Sequence, residues 1–80
     1  MHELGILRQI VKIVEQTAVK NGIEHIRNIT LEIGRESEVV PRYMMKLFPV
    51  AADVLPRLKN TELRVRMVRG NGLVIRDIRY

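Results

Sequence analysis

The chain begins Met1-His2-Glu3-Leu4, which places an imidazole beside an N-terminal amine. An imidazole on residue 2 can close a chelate with that amine and the intervening backbone amide nitrogen, and the amide of Glu3 or another donor can complete a plane of nitrogens. Tetragonal nitrogen-donor sites suit Ni(II) or Cu(II). The large side chain of His2 disfavours removal of the initiator Met, so we expect the amine of Met1 to persist. These residues form a candidate metal site, but chemistry alone does not select nickel over copper.

Other groups that could do chemistry are sparse. There is no cysteine, which excludes disulfides, thiolate nucleophiles and cysteine-based zinc sites. His25 is expected to be an exposed turn residue and Ser37 a loop or capping residue. The chain has neither a GxSxG elbow nor a phosphate-binding P-loop. We therefore expect no catalytic residues and a protein that is not an enzyme.

Size and composition indicate one compact domain over residues 1–80. The chain has 80 residues, of which 46% are hydrophobic, and this is near the lower size at which a single core suffices. No apolar run approaches the roughly 20 residues that span a bilayer, and no secretory h-region is present. A cytoplasmic location with no membrane partner is the resulting expectation.

The positive charge is concentrated toward the C-terminus. The net charge is +5, and the last twenty residues contain five arginines against two acidic residues. Such a balance can indicate nucleic acid or an acidic partner. However, the chain has only three aromatic residues and no helix-turn-helix pattern, so stacking platforms are lacking. We expect a solvated basic sheet face and no nucleic-acid partner, with binding through these arginines as a lesser alternative.

Two amphipathic helices are predicted. Leucine, isoleucine, valine and alanine recur at helical spacing over residues 3–20, and Asn21-Gly22 supplies a stop. A second helix should begin at Pro41, which suits a first helical turn. Pro49 lies inside its apolar pattern and predicts a kink or an early stop there, with Pro56 marking the end.

Three strands complete the predicted fold. Residues 26–33 alternate with period two, as do residues 63–69 and 73–80. A two-residue turn at Asn71-Gly72 would pair the last two strands as a hairpin, with Val65 opposite Ile78 and Arg66 opposite Asp77. The predicted class is α+β, a three-stranded mixed sheet with two helices on one face, in the order α-β-α-β-β.

The motifs taken together resemble a known family. Met1-His2-Glu3-Leu4 opens the chain, Leu31-Glu32-Ile33-Gly34 follows the first helix, and Val39-Val40-Pro41 comes closely after. In order and spacing these segments resemble the nickel-binding domain of the hydrogenase/urease nickel-incorporation proteins (HypA/HybF). The resemblance covers nearly the whole chain.

The resemblance implies a nickel metallochaperone for hydrogenase or urease maturation. Ni(II) would be held by Met1, His2 and Glu3 and delivered with a maturation GTPase to the hydrogenase large subunit. Members of this family carry a zinc module with two CxxC pairs between the second and third strands. Here Gly70-Asn71-Gly72 stands in its place, so no zinc is expected. The alternative is a module of the same fold for protein interaction or homo-oligomerisation, such as a homodimer, without metal.

Overall fold

The computed structural model describes residues 2–80, and describes side chains from Glu3 onward. The elements in chain order are α1 (His2–Lys20), β1 (Asn28–Gly34), α2 (Pro41–Ala52), a 3₁₀ turn (Pro56–Leu58), β2 (Glu62–Val68) and β3 (Leu73–Arg79). The predicted α+β class and the order of helices and strands are confirmed.

The helix α1 forms because its apolar residues recur on one side. Leu7, Val14 and Ala18 are completely buried, at the three- and four-residue spacing of a core-facing stripe. The helix ends at Lys20 and the predicted glycine stop follows it, since Gly22 has a φ of +67°. The N–H of Ile23 donates to the carbonyl of Ala18 at 2.9 Å, which closes the last turn in the Schellman manner.

The sheet has the order β2-β1-β3, with β1 parallel to β2 and antiparallel to β3. The predicted hairpin is therefore wrong: β1 lies between the two strands that were expected to pair. Leu63 and Ile78 both flank Ile29, one from each side. The apolar residues face the core as predicted, but their neighbours are different.

Strand composition gives the physical reason for this order. The core-facing residues of β1 are Ile29, Leu31 and Ile33, and all three are completely buried. Beside β1, the strands β2 and β3 each carry two arginines. Charged side chains are better tolerated on an edge strand than on a central one, and β1 carries a single charged residue, Glu32, against three on each of β2 and β3.

The connection from β2 to β3 crosses the end of β1 at a contact between glycines. The N–H of Gly34 donates to the carbonyl of Gly72 at 2.7 Å, and the N–H of Glu36 donates to the carbonyl of Gly70 at 2.9 Å. Gly70 has a φ of +94°. A Cβ atom on Gly34 would lie 2.2 Å from the carbonyl oxygen of Gly70. Only glycine at position 34 lets the chain cross here.

The helix α2 continues past Pro49 and ends at Ala52, so the prediction of an early stop at Pro49 is wrong. Pro49 cannot donate to the carbonyl of Met45, but it still accepts from the N–H of Asp53 at 2.9 Å. The burial of Phe48, Ala51 and Ala52 on either side of the proline holds the last turn in place. Pro56 begins the 3₁₀ turn and does not end the helix.

Candidate metal-binding site

The candidate site lies at the start of α1. The helix begins at His2, so the backbone N–H groups of its first turn, including those of His2 and Glu3, have no acceptor within the helix. A metal that binds deprotonated amide nitrogens at these positions would break no helical hydrogen bond. The same nitrogens in the middle of a helix would each have to give up such a bond first.

Glu3 joins the starts of the two helices. Its side chain is buried, with 8% of the residue exposed, and its Oε2 accepts a hydrogen bond from the N–H of Val40 at 3.3 Å. Val40 is the N-cap of α2 and has no side-chain capping bond of its own. The Glu3 carboxylate therefore supplies an acceptor at the positive end of a second helix. This carboxylate has a structural role, which leaves the backbone nitrogen as the donor that Glu3 could offer a metal.

Met1 and the side chain of His2 lie outside the described residues. The plane of nitrogens predicted from the sequence therefore stays a prediction. Among the side chains from Glu3 onward, no three or more of His, Cys, Asp and Glu come together in a group that could hold a metal ion.

The second histidine, His25, forms a hydrogen bond with the backbone of Lys59. His25 is exposed, as predicted, and its Nε2 donates to the carbonyl of Lys59 at 2.9 Å in the tautomer that carries the proton there. Ser37 also has the predicted loop role, since its Oγ donates to the carbonyl of Gly34 at 2.7 Å. Neither residue lies in a group of metal-binding side chains.

Sequence reasoning missed the ion pairs on the solvent face of the sheet. Glu32 accepts from Arg76 Nη1 at 2.8 Å, and Arg66 Nη1 lies 4.0 Å from the same carboxylate oxygen. The predicted partner of Arg66 was Asp77, on the assumption of a hairpin. Because β1 is central, its carboxylate reaches arginines on both edge strands. The only signal in the sequence was that Glu32 alternates with the buried residues of β1.

Comparison with known proteins is consistent with this fold and this N-terminal motif. Residues 1–76 match the family model described as hydrogenase/urease nickel incorporation, metallochaperone, HypA. The hydrogenase maturation factor HypA of Methanosarcina barkeri is 35% identical over 68 residues, which cover 85% of this chain and 50% of that protein. The HypA of Moorella thermoacetica is 29% identical over 72 residues, covering 82% of this chain and 64% of that protein. The chain thus spans less than two thirds of these relatives.

Solved structures show the same fold. The nickel metallochaperone HypA from Helicobacter pylori superposes with a TM-score of 0.79 at 15% identity, covering 94% of this chain and 70% of that one. A second HypA solution structure gives a TM-score of 0.73 at 17% identity, covering 96% of this chain and 71% of that one. No helix within residues 2–80 is long and apolar enough to cross a membrane. With a family model matched over nearly its whole length, the chain belongs to the HypA family of hydrogenase/urease nickel-incorporation metallochaperones.

Proposed function

We propose that this chain is a nickel-binding metallochaperone domain that takes Ni(II) at its N-terminus. The ligands are the Met1 amine, the His2 imidazole, the His2 amide nitrogen and the Glu3 amide nitrogen. One observation carries the proposal: in a member of the HypA family, Met-His-Glu stands at a helix start, where the amides are free of helical hydrogen bonds. Four nitrogen donors in a plane suit the tetragonal preference of Ni(II).

The contact between Glu3 and Val40 supports this arrangement. This hydrogen bond links Glu3, whose amide is the fourth proposed nitrogen ligand, to the N-terminus of α2. A donor on a fixed backbone loses less conformational entropy on binding than one on a free tail. The Glu3 carboxylate thus contributes by positioning and is not itself a ligand.

The proposal requires no zinc. The family's zinc module lies between the strands that correspond to β2 and β3, and here four residues, Arg69–Gly72, join them. With no cysteine in the chain, a thiolate zinc site has no ligands. The fold closes this connection with its own backbone hydrogen bonds at Gly34 and Glu36.

Nickel is cargo in this account, and we propose that it passes to a hydrogenase or urease under maturation. The relatives from Methanosarcina barkeri and Moorella thermoacetica are named hydrogenase maturation factors. A maturation GTPase and the hydrogenase large subunit are the proposed partners. A site made of an amine, an imidazole and amides exchanges protons with nickel, so a partner that protonates or competes for these nitrogens can release the ion.

A calorimetric Ni(II) titration of untagged protein with a free Met1 amine tests the proposal. We expect one equivalent to bind. His2→Ala should abolish this binding, and one extra residue before Met1 should do the same because it removes the amine. His25→Ala is the matched control, since it removes the other imidazole and should bind like the wild type.

The opposite result has a clear meaning. If His2→Ala binds nickel as tightly as the wild type, the proposed site is wrong. If neither protein binds nickel, the domain serves the alternative function of a metal-free interaction module with the same fold.

A further inference from the structure

The outer edge of β3 is less well covered than the central strand β1. The core-facing residues of β3 are Leu73, Ile75 and Ile78, and all three are only half-buried, although those of β1 are fully buried. Within residues 2–80, the sheet ends at β3 and no strand pairs with its outer side. The edge therefore offers unpaired backbone groups next to apolar side chains.

An apolar groove lies beside this edge. It has a volume of about 400 Å³ and lies between α1 and β3, lined by Ile6, Gln9, Ile10, Ile13, Leu73 and Ile75. Five of these six residues are apolar, and half of Ile13 is exposed. A strand added to β3 would lay its core-facing side chains over this groove, so it needs apolar residues on that face.

The strand β3 is suited to pairing with a second copy of itself. A bulge between Thr30 and Leu31 in its pairing with β1 leaves Arg76 as the extra residue. As a result Ile75 and Ile78 both pack toward the core, although they are three positions apart. Two antiparallel copies related by a twofold axis between Arg76 and Asp77 place Ile75 opposite the partner's Ile78.

The same register is complementary in charge. It sets Arg76 opposite the partner's Asp77 and, by symmetry, Asp77 opposite the partner's Arg76. An axis through Arg76 or through Asp77 would instead oppose like charges. One carboxylate oxygen of Asp77 is inaccessible to solvent and has no hydrogen-bond partner among the described residues. In the dimer the guanidinium of the partner's Arg76 would lie beside this carboxylate and offset part of its lost hydration.

We propose that two copies of this chain associate through antiparallel pairing of their β3 strands, which forms a continuous six-stranded sheet. The contact buries the groove between α1 and β3 in each copy and forms two ion pairs, each between Arg76 of one copy and Asp77 of the other. It does not depend on nickel or on the N-terminal motif.

Sedimentation velocity over a range of concentrations tests this proposal through charge reversal. Arg76→Asp alone opposes two acidic residues, and Asp77→Arg alone opposes two arginines, so each should weaken dimerisation at least about tenfold. An equimolar mixture of the two variants should form a heterodimer, because every facing pair is then of opposite charge. The double variant Arg76→Asp/Asp77→Arg should dimerise again.

A second pair of variants tests the groove without touching these charges. Ile13→Glu places a charge in the proposed contact, whereas Val54→Glu alters another exposed aliphatic residue, 76% exposed, that lies outside that groove. Only Ile13→Glu should abolish the dimer, with circular dichroism unchanged for both. A wild-type protein that stays monomeric up to about 1 mM would overturn the proposal. So would a dimer that survives Ile13→Glu, or single charge variants that do not associate when mixed.

Discussion

Replacement of Gly34 by alanine should destabilise the fold strongly, because the crossing at the end of β1 has no space for a side chain. The added Cβ would lie 2.2 Å from the carbonyl oxygen of Gly70 and 2.7 Å from the backbone nitrogen of Asn71. Both neighbours are backbone atoms, so the connection itself must move. Overpacking of this kind costs roughly 1–3 kcal/mol. Displacing the connection also weakens the hydrogen bonds donated by Gly34 and Glu36, at about 1 kcal/mol each.

The expected loss of unfolding free energy is therefore about 3 kcal/mol or more, a large part of the roughly 5–15 kcal/mol typical of a domain. Urea denaturation measures it directly. Gly5→Ala is the matched control: its Cβ would meet nothing within 4 Å, and in a helix it should stabilise by up to about 1 kcal/mol. A Gly34→Ala variant within about 0.5 kcal/mol of the wild type would refute the reasoning about the crossing.

Three further predictions address the core, the helix junction and the metal site. Leu31→Ala, at a completely buried position of β1, should cost about 2–5 kcal/mol in urea denaturation, whereas Val74→Ala on the solvent face should cost less than about 0.5. Glu3→Ala leaves the N–H of Val40 without its acceptor and should cost about 1 kcal/mol; an unchanged urea midpoint would contradict the capping role. Nickel affinity should fall more than about a hundredfold from pH 7.5 to 5.5, because the Met1 amine, the His2 imidazole and the two amide nitrogens must all lose protons to bind. Calorimetry at the two pH values would measure this fall, and a flat profile would exclude the nitrogen site.

Local periodicity was sufficient to predict the helices, the strands and the faces they bury. Ile29, Leu31 and Ile33 alternate so regularly that their burial follows from the pattern alone. The order of the strands in the sheet could not be predicted from this periodicity. A hairpin of β2 with β3 and the observed β2-β1-β3 sheet turn the same side chains toward the core, so burial cannot distinguish them. The deciding features are the central place of the least charged strand and the contact of Gly34 with Gly70, two residues that are far apart in sequence.

The same distinction holds at the candidate site. Residue chemistry pointed to His2 and the Met1 amine, and resemblance to the HypA family pointed to nickel. The contact of Glu3 with Val40 was not predictable, because 37 positions separate the two residues and only the packing of α1 beside α2 brings them together. The sequence predicted that Glu3 lies at the start of α1. In the structure its carboxylate also caps the N-terminus of α2.

Nickel binding at the N-terminus is best tested by the absorption spectrum of the untagged protein, with a free Met1 amine, at one equivalent of Ni(II) near neutral pH. We expect a square-planar nickel band that is complete at one equivalent, is absent in His2→Ala and is retained in His25→Ala. A spectrum that stays that of hydrated nickel, or a band that persists in His2→Ala, would contradict nickel binding at the N-terminus.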